Sequence, residues 1–213
     1  MSLLKVKKLY NKLKNFNLII FDLDDTIYNS FYFDNPAYEK ISNLLNKKLG
    51  FNKKLIIKKI FKEKKFEKKN NLNNKIFNKV LGELGLVKDK AKFEKLCIKI
   101  YQNNKIDKID KKTTLIDLIS KLHQEEKKLF LVTNGNFIRQ KNKIKSLGIK
   151  KYFDKIFILD KSKNNSPKPS IKNVKVLRFK SKKNNSIMIG DSVLDKKFAR
   201  NLGIRYIKFV NDF

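Results

Sequence analysis

The sequence predicts an α/β chain, a parallel sheet covered by helices on both faces, with a helical segment inserted after the first strand. Three observations lead there. Short apolar runs that suit buried strands recur at 17–22, 128–133, 155–160, 186–190 and 205–210. From residue 112 onward, strand-like and helix-like stretches alternate, the pattern of parallel strands joined by crossover helices. Between the first run and the second, residues 36 to 103 repeat apolar positions only at helical spacing. The layout is therefore a sheet core built from 1–30 and 112–213, with 31–111 as the insert.

In chain order, residues 3–15 form a basic amphipathic helix through Leu3, Leu4, Val6, Leu9, Tyr10 and Leu13, and NLIIFD at 17–22 is a buried strand ending in acid. The insert holds four helices, marked by apolar sets such as Ile41, Leu44, Leu45 and Leu49 or Phe93, Leu96, Cys97 and Ile100, with Gly50, Gly82, Gly85 and the Asn-rich stretch 70–74 as punctuation. A helix at 113–123, capped by Thr113 or Thr114, leads into the strand KLFLVT at 128–133. A helix at 136–147 stops at Gly148, and KIFILD at 155–160 is the third strand. After a loop through Pro167 and Pro169 come a helix near 170–180, the strand SIMIG at 186–190, a helix at 192–202 stopped by Gly203, and a last strand at 205–210.

Composition narrows the function classes. With 213 residues, 41% of them hydrophobic and 17 of them Phe, the chain fills a core despite 34% charged residues. A single Cys forms no internal disulfide, and no Cys/His cluster offers a zinc site, which points to a reducing, cytoplasmic setting. The N-terminal stretch is broken by Lys too often for a signal peptide, and no apolar run approaches a membrane span. The net charge of +32 suggests a nucleic-acid partner at first sight. Yet the cations are 48 Lys and four Arg, beside 25 Asn, 24 Ile and only three Ala. Lys, Asn and Ile have A/T-rich codons, so genomic bias accounts for the charge, and the Arg that reads bases bidentately is scarce. No specific nucleic-acid partner and no membrane partner are expected; the chain is a monomer or a homodimer.

In open parallel sheets, ligands bind beyond the carboxyl ends of the strands. There the sequence collects its few acids: Asp22-Leu23-Asp24-Asp25-Thr26 after the first strand, Thr133-Asn134-Gly135 after the second, and Gly190-Asp191-Ser192 with Asp195 after the fourth. Asp22 and Asp24, two apart at a strand end, point to one side, and Asp191 arrives from another strand. Carboxylates so gathered repel unless a cation sits among them, and an all-oxygen site suits Mg²⁺.

These segments together resemble the haloacid dehalogenase superfamily of phosphohydrolases, in the branch with a helical cap after the first core strand. FDLDDT at 21–26 matches the family's DxDx(T/V) motif, LVTNG at 131–135 its strand-terminal Thr or Ser, Lys168-Pro169 its lysine, and Gly190-Asp191-Ser192-Val193-Leu194-Asp195 its GDxxxD. The stretch from Thr133 through Gln140 to Tyr152-Phe153-Asp154 is also similar to the family's linker. The resemblance implies a Rossmann-like core, a cap that closes over a small substrate, and a Mg²⁺-dependent phosphatase working through an aspartyl-phosphate. It implies Asp22 as nucleophile and Asp24 as general acid and then base. Asp22, the Asp24 backbone carbonyl and Asp191 would hold Mg²⁺. Thr133, Lys168 and the backbone N–H groups of Asn134 and Gly135 would hold phosphoryl oxygens. Asp195 supports the metal shell, orients Lys168, or serves as a first-turn helix acid. Dehalogenating relatives lack an acid at the Asp24 position, which favours phosphoester hydrolysis. The substrate would be a small phosphorylated metabolite, a nucleotide or sugar phosphate.

Other candidates are assigned plainer roles. Asp25 is a turn residue, His123 sits near a helix end without catalytic duty, and Cys97 is a small core hydrophobe. Tyr28, Phe31, Tyr32 and Phe33 are the nearest aromatic residues for substrate contact. Two alternatives stay open at this point: a phosphomutase of the same fold, and a non-catalytic basic protein on nucleic acid.

Overall fold

The computed structural model describes residues 3–70, 75–106, 109, 115–174, 177 and 185–211. They divide into two compact units, one of Met1–Ser30 with Lys105–Phe213 and one of Phe31–Asn104. The helical unit thus ends at 104, where the sequence reading carried the insert to 111. The reason lies in Asn104. Its side chain donates to the Phe33 carbonyl (2.9 Å) and accepts from Lys40 Nζ (2.9 Å), tying the end of the unit back to its first helix.

The first unit contains α1 (Leu3–Leu13), β1 (Leu18–Phe21), α6 (Ile116–Gln124), β2 (Lys128–Asn134), α7 (Phe137–Leu147), β3 (Lys155–Leu159), β4 (Ser186–Gly190), α8 (Val193–Leu202) and β5 (Arg205–Lys208). The five strands are parallel in the order β3-β2-β1-β4-β5. Every described strand stands where the periodicity expected it, within two residues at its ends. The sheet is apolar on both sides, which is why its strands read as continuous runs instead of alternating ones. Leu18, Ile20, Phe130, Val132 and Met188 share one core with Phe198, Ala199 and Leu202. The intervening Ile19, Phe21, Leu129, Leu131, Ile187 and Ile189 are equally buried and, by the strand's twofold alternation, face the opposite side.

Strand order positions the site. The chain fills β2 and β3 on one side of β1 and then crosses to place β4 on the other. The switch point therefore lies between the carboxyl ends of β1 and β4, where a crevice opens in such sheets. Phe21 is in register with Leu131 on one side and Ile189 on the other, so β1 and β4 end within one residue of each other while β2 runs on to Asn134 beside the segment that follows β1. The expected caps Thr113 and Thr114, and residues 175, 176 and 178–180 of the helix expected near 170–180, lie outside the described residues; among the described ones, Lys172–Val174 form a 3-10 turn.

The second unit consists of α2 (Phe31–Leu49), α3 (Lys53–Asn70), α4 (Ile76–Glu83) and α5 (Lys90–Asn103). Its core joins Tyr38, Ile41, Leu45, Ile56, Ile60, Phe77, Val80, Leu81, Phe93 and Cys97. Tyr38 stacks on Tyr101 at 5.7 Å and meets Phe61 edge-on at 5.5 Å. Helix α2 begins five residues before the expected position 36, with Pro36 inside it. Cys97 is fully buried, and loss of solvation pushes its thiol up to about 12, the behaviour of a core residue. No described helix is long and apolar enough to cross a membrane.

Candidate active site

The site lies within the first unit and is built around two buried lysines. Of the Lys side chains among the described residues, only Lys143 and Lys168 fall in the buried class, each 4% exposed. An ammonium withdrawn from water needs acceptors, and each of these finds an aspartate of the segment that follows β1.

Lys168 Nζ donates to Asp22 Oδ1 (2.5 Å), Asp195 Oδ1 (2.6 Å) and the Val132 carbonyl (3.0 Å). An ammonium has three N–H donors, and here all three are used. In this structure Lys168 stands as the counter-ion of Asp22 and Asp195. The loop that carries Lys168 is clamped by Asn134, whose Oδ1 accepts the Lys168 backbone N–H at 2.8 Å. The Lys168–Pro169 peptide bond is cis.

Asp195 uses both oxygens. One meets Lys168; the other accepts from Ser192 Oγ (2.6 Å) and the Ser192 backbone N–H (3.1 Å), while Ser192 Oγ in turn accepts from the Asp195 N–H, a reciprocal cap on α8. Of the readings left open for Asp195, orienting Lys168 and capping the helix both describe its contacts. Gly190 makes this possible. A Cβ there would lie 2.5 Å from Asp195 Cβ and Cγ, so any other residue pushes the carboxylate out of place. Tyr206, which the sequence reading did not single out, donates to the Gly190 (2.9 Å) and Ser192 (3.2 Å) carbonyls and fixes the same turn from β5.

Asp22, Asp191 and Asp195 each bring a carboxylate oxygen within 4.8 Å of the others. Burial raises the Asp22 carboxyl well above its ordinary range. Lys168 pulls it back, but Asp195 and Asp191 push it up again. Carboxylate oxygens gathered this closely form a donor set that fits a hard divalent ion held by oxygen.

Asp24 has the opposite environment. Lys143 Nζ lies 2.8 and 2.7 Å from its two oxygens, Tyr28 Oη donates to Oδ1 (2.7 Å), and Gln140 Nε2 to Oδ2 (3.0 Å). Burial opposes ionisation here too, but Lys143, Gln140 and Tyr28 outweigh it and hold the carboxyl below the usual carboxylate range. Tyr28 is fully buried behind Asp24 and Phe33 is fully buried as well, so neither presents the exposed ring expected for substrate contact, whereas Phe31 and Tyr32 remain exposed.

Thr133, at the end of β2, accepts a hydrogen bond from Gln140 Nε2 at 2.6 Å, which leaves its own hydrogen to be donated to a ligand oxygen. The Gly135 N–H, expected to face a phosphoryl group, instead donates to the Leu159 carbonyl at 3.2 Å and extends the β2–β3 ladder. Gly135 serves differently: at φ +140° it lets the chain turn into α7, and a Cβ there would press on Gln140 at 3.2 Å. Asn136 caps α7 by accepting the Arg139 N–H at 3.1 Å. Asp25 adopts a left-handed turn conformation (φ 57°) and accepts the Ser30 N–H at 2.9 Å, in keeping with a turn role.

Lys143 was missed in the sequence because one lysine among so many carries no signal by type. Its position did carry one: with Gln140, Ile144 and Leu147 it falls on the buried stripe of a helix whose period was evident.

The chain is similar in structure to the HAD-hydrolase YfnB from Bacillus subtilis, crystallised with magnesium (TM-score 0.61, 21% identity, covering 90% of this chain and 87% of that one). It is also similar to a protein from Clostridium difficile assigned as a phosphatase (TM-score 0.63, 16% identity, 93% and 87%). The L-2-haloacid dehalogenase from Xanthobacter autotrophicus, with chloropropionic acid covalently bound, shares the fold as well (TM-score 0.53, 12% identity, 91% and 77%). A comparison with curated proteins finds no sequence match. The family model for haloacid dehalogenase-like hydrolases matches residues 16–203, and the chain belongs to that family.

Proposed function

We propose that the chain is a Mg²⁺-dependent phosphatase of small phosphomonoesters, with a nucleotide or sugar phosphate in the cytoplasm as its substrate class. The observation that carries this reading is Asp24: a second carboxylate stands two residues after Asp22 and is held by three donors, and an acid is needed to protonate a leaving alkoxide but not a leaving halide.

Asp22 attacks phosphorus through a carboxylate oxygen, forming an oxygen–phosphorus bond as the bond to the alkoxide breaks. Asp24, ionised in the free chain, takes up a proton from water as the phosphate dianion binds beside it, and gives that proton to the departing oxygen. A water then gives a proton to Asp24, its oxygen bonds to phosphorus, and the bond between phosphorus and the Asp22 oxygen breaks, freeing phosphate and the Asp22 carboxylate. Thr133 donates its hydroxyl to one phosphoryl oxygen, and the Asn134 N–H is the remaining backbone candidate. A phosphoryl oxygen entering beside Asp22 takes over the Lys168 hydrogen bond that Asp22 now accepts, while Asp195 keeps the ammonium aimed. Mg²⁺, held by Asp22, Asp191 and the Asp24 carbonyl, would screen the negative charge between phosphate and nucleophile.

A panel of nucleotide and sugar phosphates, assayed with Mg²⁺ and with chelator, tests the reading. Turnover requires the metal, and Asp22→Asn lowers it by more than about 10⁴-fold with the fold retained by circular dichroism. Halide release from 2-haloacids, or phosphate release undiminished in Asp22→Asn, overturns it.

A further inference from the structure

We infer that Lys143 and Gln140, one turn apart on α7, are positioning residues that hold Asp24 in place for proton transfer to the leaving group. The inference rests on the phosphatase reading and gives roles to two residues that this reading leaves unassigned.

Four observations converge. First, Lys143 is one of only two buried lysines among the described residues, and the other, Lys168, serves Asp22. Composition bias scatters lysines over a surface; it does not bury them, since an ammonium is almost never buried without a partner. Second, the contact is two-pronged. Nζ lies within 2.8 Å of both Asp24 oxygens, which fixes the plane of the carboxylate as well as its distance. Third, Gln140 Nε2 lies within hydrogen-bond distance of Asp24 Oδ2 (3.0 Å), Thr133 Oγ1 (2.6 Å) and the Asn134 carbonyl (3.1 Å). The residue proposed to grip phosphate and the residue proposed to protonate the leaving oxygen are thereby tied through one amide. Fourth, the Asp24 side chain is still 30% exposed while Lys143 behind it is 5% exposed, so Lys143 approaches from the protein side and leaves Asp24 open to a substrate. Neither Lys143 nor Gln140 needs to touch substrate for this arrangement to work.

The chemistry supplies a readout that general destabilisation does not move. A residue acting through the general acid matters only when the leaving oxygen needs a proton. An alkyl phosphate releases a strongly basic alkoxide; p-nitrophenyl phosphate releases a stable phenolate. Lys143→Met should lower kcat/KM for the alkyl phosphate about 100-fold, the lower part of the range for general acid catalysis, and for p-nitrophenyl phosphate less than about 5-fold. Asp24→Asn should show the same split, and combining it with Lys143→Met should cost little more than Asp24→Asn alone. Lys143→Gln provides the same comparison if the Met variant does not fold. Equal loss on both substrates, or an undiminished rate on both, with the wild-type chain active, overturns the inference and leaves the phosphatase reading intact. A wild-type chain that turns over neither substrate removes that reading and the inference with it.

Discussion

The two halves of the site make a controlled comparison. Asp22 and Asp24 are separated by one residue, and each is paired with a buried lysine. Their carboxyls nevertheless move in opposite directions, Asp22 up and Asp24 down. The difference is the number of acids each lysine serves. Lys168 is shared by Asp22 and Asp195, with Asp191 close by, whereas Asp24 has Lys143 together with an amide and a phenol. Burial has the same sign at both, so the count of neighbouring charges decides the outcome. The half where three carboxylates meet is suited to a metal ion; the half where one carboxylate meets a lysine, an amide and a phenol is suited to an acid and base held in a fixed place.

The largest effect on stability should come from breaking the shared pair. Lys168→Met leaves Asp22 and Asp195 facing each other without a cation, and removing one partner of a buried pair costs about 3 kcal/mol or more. Lys143→Met should cost about 1 kcal/mol, because Asp24 is partly exposed and keeps Tyr28 and Gln140. Urea unfolding of both variants measures the difference, and equal losses would show that the two halves are not distinguished by charge count.

Gly190→Ala acts on the first half alone. The added methyl meets Asp195 at 2.5 Å, and overpacking of this kind costs about 1 to 3 kcal/mol. Because it also moves Asp195 from Lys168, Mg²⁺-dependent turnover should fall in a variant that still folds. An alanine variant with full activity would show that the tight approach of Asp195 does not matter.

The smallest effects are those of pH, and their signs differ between the halves. The depressed Asp24 contributes stability that is present above the ordinary carboxylate range, about pH 4, and is lost as pH falls through its folded value. The stability gap between wild type and Lys143→Met should therefore be full at neutral pH and narrow below about pH 4. The raised Asp22 behaves in reverse: the fold favours its protonated form, and stability is lost as pH rises from the ordinary range through the raised value. Mg²⁺ competes with that proton, so the rise in Tm on adding Mg²⁺ should be larger at pH 8 than at pH 5.5 and should shrink in Asp191→Asn. A metal effect independent of pH would remove Asp22 from the ion's neighbourhood.

Much of this was legible before any coordinates. Apolar runs located all five strands, because a strand buried on both faces has nowhere to put a polar residue. Acids at strand ends located Asp22, Asp24, Asp191 and Asp195. What stayed hidden depended on how side chains use their donors. Lys168 was identified by its neighbour Pro169, but only distances reveal that its three N–H groups are already taken. The Gly135 N–H looked available until β3 was found beside it. Tyr28, one of four aromatic candidates for substrate contact, is shown only by distance to donate to Asp24. Lys143 and Tyr206 are common residue types in positions that no motif marks.

The order of apolar and acidic segments by itself determined that this chain makes a parallel sheet and gathers carboxylates at one edge, since burial period and strand-end placement are local properties of a sequence. The tertiary structure alone decided which lysine neutralises which aspartate, and hence in which half of the site three carboxylates meet. Charge balance is a matter of distances between segments far apart in the chain, such as the 2.7 Å between Lys143 and Asp24, and no spacing along the sequence encodes them.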